Sequence, residues 1–417
     1  MSNIPSNADK DTLRLLAEQI ASVSELPVQR EKANLWQKMN DRQMVRPMVW
    51  INEIPWDEFG DDSELRLQTT DSWSRQQEMK LRRILYQWNH FPADMIVSGT
   101  LECYAVVNST GYGFEQQGEL LSQGNTGVFS QHFVPQILNP EDVLKIRSPE
   151  VFYDRDATEQ EYQQMCLVYK DILPVQKVGI KGVWFTPWDN LIRWWGVQEA
   201  MLDMVMRPEM VREGVRRFVD ACLCELEQWQ HLNLLTLNID NTRVGSGGYG
   251  FTENLPGNNY DPDMIQTYNM WGCSNAQVFS GISPEMHWEF ALKYELKWLE
   301  KWGLTYYGCC EPLNHKIEIL RKIKNLRKIS ISPWADINHS VRQIQNDYVL
   351  SVKVNPAPLA ESDWTLDQMQ KDVKHILEQT HGCSFEIILK DISTTRNDPR
   401  RIAEWEKMVM ESVYKSY

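Results

Sequence analysis

The sequence has 417 residues, of which 42% are hydrophobic and 24% are charged, and its formal net charge is −14. This balance is typical of a folded globular protein, and the acidic excess disfavours a nucleic-acid surface, because phosphate binding depends on clustered Lys and Arg. No apolar run approaches the roughly 20 residues that a membrane-spanning helix needs. Residues 1–11 are polar and show no secretory signal, so we expect a cytoplasmic protein.

The first half of the chain gives a less regular pattern of predicted elements. A helix is predicted at 11–22, and residues 1–45 are interpreted as a helical extension packed on the outside of the main domain. Residues 101–136, rich in Gly, Ser and Gln, are interpreted as an insertion. The other elements are predicted strands at 48–51, 95–97, 182–185, 234–239 and 268–271 and predicted helices at 75–88, 197–206 and 209–230.

The second half alternates short apolar runs with longer amphipathic ones, which predicts four βα units in succession. Each crossover returns the chain to the same edge, so we expect a parallel sheet. One or two of the nine strand candidates are taken as hairpins, and residues 46–417 are predicted to form a single α/β domain, a (β/α)8 TIM barrel with loop and hairpin insertions. The four units, strand then helix, are 304–308 with 314–324, 328–332 with 337–345, 348–354 with 365–380, and 385–389 with 399–413.

Reactive groups of such a barrel lie in the loops that follow the strands. Glu53, after the first strand, is a candidate acid, base or cation anchor, and Trp184, Trp188 and Trp334 are candidate aromatic walls of a pocket. The other candidates at strand ends are Asn52, the polar cluster Cys273, Asn275 and Gln277, the run Cys309, Cys310 and Glu311, then Asn355, and then Lys390 and Asp391.

The cysteines of the chain suggest a metal or a reactive thiol. The eight cysteines show no regular spacing, which favours reduced thiols over a disulfide framework. Cys310 and Glu311 offer a soft and a hard ligand, and zinc accepts both. Because side chains alternate along a strand, only one of Cys309 and Cys310 is expected to face the cavity, and we favour Cys310. The alternative that both are small buried apolar side chains stays open.

The glycine-rich residues 238–256 lack the lysine of a phosphate-binding loop and the spacing of a dinucleotide fingerprint. They are interpreted either as a flexible lid over the barrel mouth or as an ordinary surface loop.

Several stretches, taken in order along the chain, resemble the uroporphyrinogen decarboxylase superfamily. They are residues 46–50 (RPMVW), 195–209 (WGVQEAMLDMVMRPE), 277–290 (QVFSGISPEMHWEF) and 304–312 (LTYYGCCEP). The resemblance implies a (β/α)8 barrel. The superfamily contains porphyrinogen decarboxylases and zinc-dependent methyltransferases that pass methyl groups to or from corrinoid proteins.

The sequence departs from both branches of that superfamily. The decarboxylases carry an arginine-rich run after the first strand, but residues 51–55 read INEIP, and a negative charge there would repel a polyanionic porphyrinogen. The methyltransferases bind zinc through His, any residue, Cys and a later Cys. Gly308 stands where that His would be if Cys310 is the matching cysteine, so a zinc site would have to recruit Glu311, Cys273 or Asp391.

The favoured hypothesis is a methyltransferase-like enzyme that moves a methyl group from a small methylated substrate to a separate corrinoid protein or a thiol. Cys310 and Glu311 would hold zinc or act directly, and Glu53 would orient the substrate. A metal-free lyase or decarboxylase acting on a small acid and a non-catalytic ligand-binding barrel are the alternatives. We expect neither nucleic acid nor a membrane as a partner, and the sequence leaves open whether the chain forms a homodimer.

Overall fold

A six-stranded parallel sheet lies at the centre of the protein, in a computed structural model that describes residues 5–60, 62–123, 129–258 and 260–417. All six strands are buried along their whole length, as expected for a parallel sheet that is covered on both faces. In order across the sheet they are β1 (Met48–Ile51), β12 (Phe385–Leu389), β11 (Val349–Lys353), β10 (Leu326–Ile331), β9 (Leu304–Tyr307) and β8 (Trp271–Ser274).

In the described part of the chain, six further strands form three separate pairs outside this sheet. They are β2 (Leu101–Tyr104) with β7 (Val175–Val178), β3 (Val106–Ser109) with β6 (Val151–Asp154), and β4 (Gly118–Gln123) with β5 (Phe129–Phe133). The first pair is parallel and the other two are antiparallel. The predicted insertion at 101–136 contributes β2 to β5, and its residues 124–128 lie outside the described residues.

Helices connect the strands and cover the sheet. In the described ranges they are α1 (Asn7–Ser24), α2 (Pro27–Asn40), α3 (Ser72–His90), α4 (Arg155–Tyr169), α5 (Pro187–Trp195), α6 (Val197–Met206), α7 (Pro208–His231), α8 (Pro284–His287), α9 (Lys293–Leu299), α10 (Ile317–Leu320), α11 (Ile337–Ile344), α12 (Asp367–Gln379) and α13 (Arg400–Ser416). None of the described helices combines the length and apolarity needed to cross a membrane. The division of the chain at residue 45 stays a prediction.

The four βα units of the second half are confirmed in order, although the helix predicted at 314–324 is only the short α10 (Ile317–Leu320), and part of the first half was predicted wrongly. Residues 95–97 and 182–185 form no strand, and of 234–239 only Leu235 takes part in a bridge, parallel to Ile180. At these positions side chains, rather than a neighbouring strand, bond to backbone N–H groups. The Asp94 carboxylate accepts from Val49 N at 2.8 Å, and Thr236 Oγ1 accepts from Gly179 N at 2.8 Å. Within the described ranges the hydrogen bonds therefore leave the sheet open, with β1 and β8 at its edges.

The strand predicted at 268–271 begins later than expected. Residues Thr267–Asn269 form a short 3₁₀ helix, and β8 follows them. A β-carbon on Gly272 would lie 2.2 Å from Trp302 Cγ, so β8 needs a residue without a side chain where the indole packs on it. Residues 272–274 are small and have a low β propensity, so the sequence pattern placed the strand too early.

Charged and polar side chains fill the interior on one face of the sheet. Lys328 of β10 and Glu386 of β12 are fully buried and form an ion pair of 3.0 Å. The other Glu386 oxygen accepts from Ser351 Oγ at 2.6 Å and from Gly248 N at 3.1 Å. Lys328 is in register with Tyr306, and Ser351 with Glu386, so these side chains share one face. A buried carboxylate with this many donors is well compensated.

Candidate functional site

Cys309 and Cys310 both line a cavity of about 240 Å³ at the carboxyl end of the sheet. The expectation that only one of them faces the cavity was wrong, because the strand alternation ends at Gly308. Gly308 has a φ of 100°, and a β-carbon there would lie 2.5 Å from Leu313 Cδ1. Only glycine adopts this backbone conformation without strain, and it turns the chain so that the next two side chains reach the same space.

The two thiols lie beside a lysine and an aspartate. The Cys309 and Cys310 sulfurs are 3.4 Å apart, and Lys390 Nζ lies 3.8 Å from each of them. Asp391 Oδ2 lies 3.6 Å from Cys310 Sγ and 2.7 Å from Lys390 Nζ. Both residues follow β12, so the carboxyl ends of two strands of one parallel sheet meet here.

This arrangement favours one thiolate on the pair. The neighbouring Cys310 thiol, together with Lys390 and Lys353, lowers the pKa of Cys309 against the opposing effect of burial. Cys310 keeps its proton, because its hydrogen bond to Cys309 and its burial raise its pKa, and Asp391 acts in the same direction. A thiolate on this pair is favoured at Cys309, whose pKa is the one that is lowered.

Glu53 joins the loops around the cavity and does not point freely into it. Its Oε1 accepts from Arg243 Nη1 at 2.9 Å, and its Oε2 accepts from Asp391 N at 3.2 Å and lies 3.6 Å from Lys390 Nζ. The carboxylate therefore holds Arg243, Lys390 and Asp391 together. In this geometry Glu53 anchors cations, which is one of the three roles considered from the sequence, and a role as acid or base stays a prediction.

Glu311 is turned away from the cavity. It is fully buried, and its Oε2 accepts from Cys309 N at 2.8 Å. Burial raises the pKa of Glu311 to about 7, although the backbone N–H of Cys309 opposes that shift. The carboxyl group fixes the backbone of the thiol loop, and Cys310 lies on the exposed side of that loop.

The remaining candidates divide between the cavity and the core. Trp334, which is 71% exposed, and Asn355 line the same cavity as the cysteines. Asn52 Nδ2 is buried and has no hydrogen-bond partner within the described ranges. Trp188 is fully buried and donates its indole N–H to Phe290 O, so it is a core residue and not a pocket wall.

A second cavity has a volume of about 580 Å³ and shares no lining residue with the first. Trp184, Cys273 and Arg243 line it, and Arg243 joins it to Glu53 and the first cavity. Asn275 and Gln277 line neither cavity: Gln277 N donates to Asn275 Oδ1, and Gln277 Nε2 donates to Asp189 at 2.6 Å. Cys273 and the Cys309–Cys310 pair therefore belong to different cavities.

The glycine-rich part of segment 238–256 is buried, whereas Glu253 and Asn254 of the same segment are exposed. Ser246, Gly247 and Gly248 are buried against the polar interior face of the sheet. A β-carbon on Gly247 would lie 2.3 Å from Glu386 Oε1, and one on Gly248 would lie 2.2 Å from Trp36. The glycines are needed because the backbone passes directly over the interior charges.

The donor set does not fit the expected zinc site. Within the described ranges no group of three or more His, Cys, Asp or Glu side chains is arranged to hold a metal ion. The Glu311 carboxylate is bonded to Cys309 N, and the cation beside both sulfurs is the Lys390 ammonium. Cys310 and Glu311 thus lack the arrangement of a tetrahedral site.

Sequence reasoning missed Lys353, which also lines the smaller cavity. The signal was present: Ser351 and Lys353 are polar residues two positions apart in an apolar strand, and that spacing places both on one face.

No family model matches the chain, and no curated protein matches it. Among solved structures, the chain is similar to a methyltransferase from Methanosarcina mazei. The alignment covers 92% of this chain and 98% of that chain, with 11% sequence identity and a TM-score of 0.47. A likeness at this level does not transfer an activity to this chain.

Proposed function

We propose that the chain is a methyltransferase-type enzyme in which the Cys309 thiolate takes a methyl group from a small substrate. The observation that carries the proposal is that Cys309 Sγ lies 3.4 Å from Cys310 Sγ and 3.8 Å from the Lys390 ammonium, in a cavity at the carboxyl end of a parallel sheet. A stabilised thiolate is a strong nucleophile towards carbon. The choice of a methyl group follows the resemblance of the sequence to a superfamily that contains methyltransferases.

The proposed step is a displacement at the methyl carbon. A bond forms between Cys309 Sγ and the methyl carbon while the bond from that carbon to its nitrogen, sulfur or oxygen breaks, and the electron pair leaves with the heteroatom. A quaternary ammonium or sulfonium substrate releases a neutral amine or sulfide and needs no proton. Trp334 and Asp391 in the cavity wall suit such a cation.

We further propose that the six-stranded sheet is part of a (β/α)8 barrel. The parallel bridge between Ile180 and Leu235 and the hydrogen bonds between Asp94 and Val49 support this, since they lie in the chain between β1 and β8. The acceptor that takes the methyl group from Cys309 is proposed to be a small thiol or, as the resemblance implies, a corrinoid on a separate protein. The proposal uses no zinc.

Methyl transfer to the cysteine pair is the direct test. The protein is incubated with a panel of compounds that carry isotopically labelled methyl groups on quaternary nitrogen, sulfonium sulfur, thioether sulfur and ether oxygen. We expect at least one onium compound to place one labelled methyl group on Cys309, identified by peptide mass spectrometry. Absence of label across the panel, or label spread evenly over other cysteines such as Cys166, would contradict the proposal.

A further inference from the structure

Lys353 lies at the carboxyl end of β11, in the wall of the same cavity as the cysteine pair. Only 4% of its surface is exposed. Its Nζ contacts the Tyr306 hydroxyl, Ser351 Oγ at 2.8 Å and Ser351 O at 3.0 Å. The amine is therefore held in one place by Tyr306 and Ser351, on a residue that lines the cavity.

Lys353 differs from the other two lysines in this region because it has no counter-ion. Lys328 pairs with Glu386, and Lys390 pairs with Asp391. Within the described ranges no carboxylate lies within 4.0 Å of Lys353 Nζ, and its hydrogen-bond partners are all neutral. A buried ammonium without a paired charge is costly, so the site favours the neutral amine.

Some of the charges around Lys353 lower its pKa and others raise it. Burial, followed by the cations Lys390 and Arg243, lowers the pKa of Lys353 to about 7, while Glu386 and the Cys309 thiolate act against this shift. An ordinary lysine has a pKa of about 10.4 and is almost entirely protonated at neutral pH. A large fraction of Lys353 is thus available as a free amine under the same conditions.

We propose that Lys353 is a second nucleophile of this cavity and forms an imine with a small aldehyde or ketone. The nitrogen lone pair attacks the carbonyl carbon, a C–N bond forms, and the carbonyl electron pair moves to oxygen. A proton passes from nitrogen to that oxygen, and the Tyr306 hydroxyl, which contacts both Nζ and Ser246 Oγ, is placed to relay it. Loss of one water molecule then gives the imine.

This activity goes beyond methyl transfer and does not depend on it, because Cys309 takes no part in forming the imine. A protonated imine withdraws electrons from the neighbouring carbon–carbon bond, which is how a desolvated lysine beside another cation catalyses decarboxylation or cleavage without a metal. Lys390, at the same cavity, is that second cation. The inference therefore assigns a residue to the metal-free lyase that the sequence left as an alternative.

Reductive trapping of the full chain tests the proposal. The protein is incubated at neutral pH with pyruvate or acetaldehyde as probes, sodium cyanoborohydride is added, and adducts are mapped by peptide mass spectrometry. We expect a saturable adduct of one probe per chain on Lys353, with a labelling rate that rises with pH through a midpoint near 7. Lys353→Gln, which keeps a neutral hydrogen-bonding group, is expected to lose this adduct.

Two comparisons make the result decisive. Adducts spread over exposed lysines such as Lys324 while Lys353 stays unmodified would overturn the proposal, and this outcome is read on the wild-type protein, so it does not depend on the folding of a variant. The Cys309→Ser variant is expected to keep the Lys353 adduct. Trapping in that variant therefore separates a failure of imine formation from a failure of methyl transfer.

Discussion

Serine in place of Cys309 is expected to reduce the rate of methyl transfer by about 1,000-fold or more, the effect typical of removing a catalytic nucleophile. A serine hydroxyl is not ionised near neutral pH, and the Cys310 thiol and Lys390 ammonium that stabilise a thiolate would then face a neutral group. Cys310→Ser is expected to cause a smaller loss, because a hydroxyl at that position still donates a hydrogen bond to Cys309. The measurement is the single-turnover rate with the labelled substrate.

Cys166→Ser is the matched control for this comparison. Cys166 is a half-buried free thiol on α4 and does not line the cavity, so the substitution should leave the rate unchanged. If the Cys309 and Cys166 variants retained similar rates, Cys309 would not be the nucleophile. If Cys310→Ser were the more damaging change, the roles of the two thiols would be exchanged.

Alanine in place of Glu386 is expected to lower the free energy of unfolding by about 3–5 kcal/mol, the usual cost of leaving one member of a buried ion pair alone. Lys328 would remain fully buried with its charge unpaired. Ser351 Oγ and Gly248 N would each lose an acceptor as well. The measurement is denaturant unfolding followed by tryptophan fluorescence.

The double variant Lys328→Met with Glu386→Leu distinguishes the effect of an unpaired buried charge from the effect of lost side-chain volume. Because it removes both charges and keeps apolar bulk, it should be less destabilised than Glu386→Ala alone. A double variant that is the less stable of the two would contradict this account of the interior.

The stability that the buried Glu386 carboxylate contributes depends on pH in a definite direction. Burial alone would raise the pKa of Glu386, but Lys328, Ser351 and Lys353 together hold it below its usual value. The stabilisation from this carboxylate is therefore fully present above the pKa of an unfolded glutamate and is lost as the pH falls through the lower folded-state pKa.

The fold was predictable where the periodic pattern was simple. The strands β9 to β12 and helices α11 to α13 were found because apolar runs alternate with amphipathic ones. Helix α2 was missed because polar residues occupy its buried face: Gln29, Lys32 and Asn40 lie there beside Trp36. Lys32 Nζ donates to Ala93 O, a contact that the hydrophobic pattern cannot reveal.

The site was predictable in position but not in arrangement. The rule that reactive groups follow the strands led to Cys309, Cys310, Lys390 and Asp391, and all four line one cavity. Which way each side chain points depends on local backbone conformation, as at Gly308, and on partners distant in sequence. The Glu311 carboxylate accepts a hydrogen bond from a neighbouring backbone N–H, a contact that no spacing rule predicts.

The central claim is that Cys309 is a thiolate at neutral pH, and the pH dependence of its alkylation tests this most directly. The rate at a single pH is not sufficient, since a thiolate of low pKa is also a weaker nucleophile. The protein is treated with iodoacetamide across a pH series, and modification of Cys309 is followed by peptide mass spectrometry. The account predicts a rate that rises through a midpoint well below the ordinary cysteine pKa. A midpoint near the ordinary cysteine value of about 8.5 would contradict it.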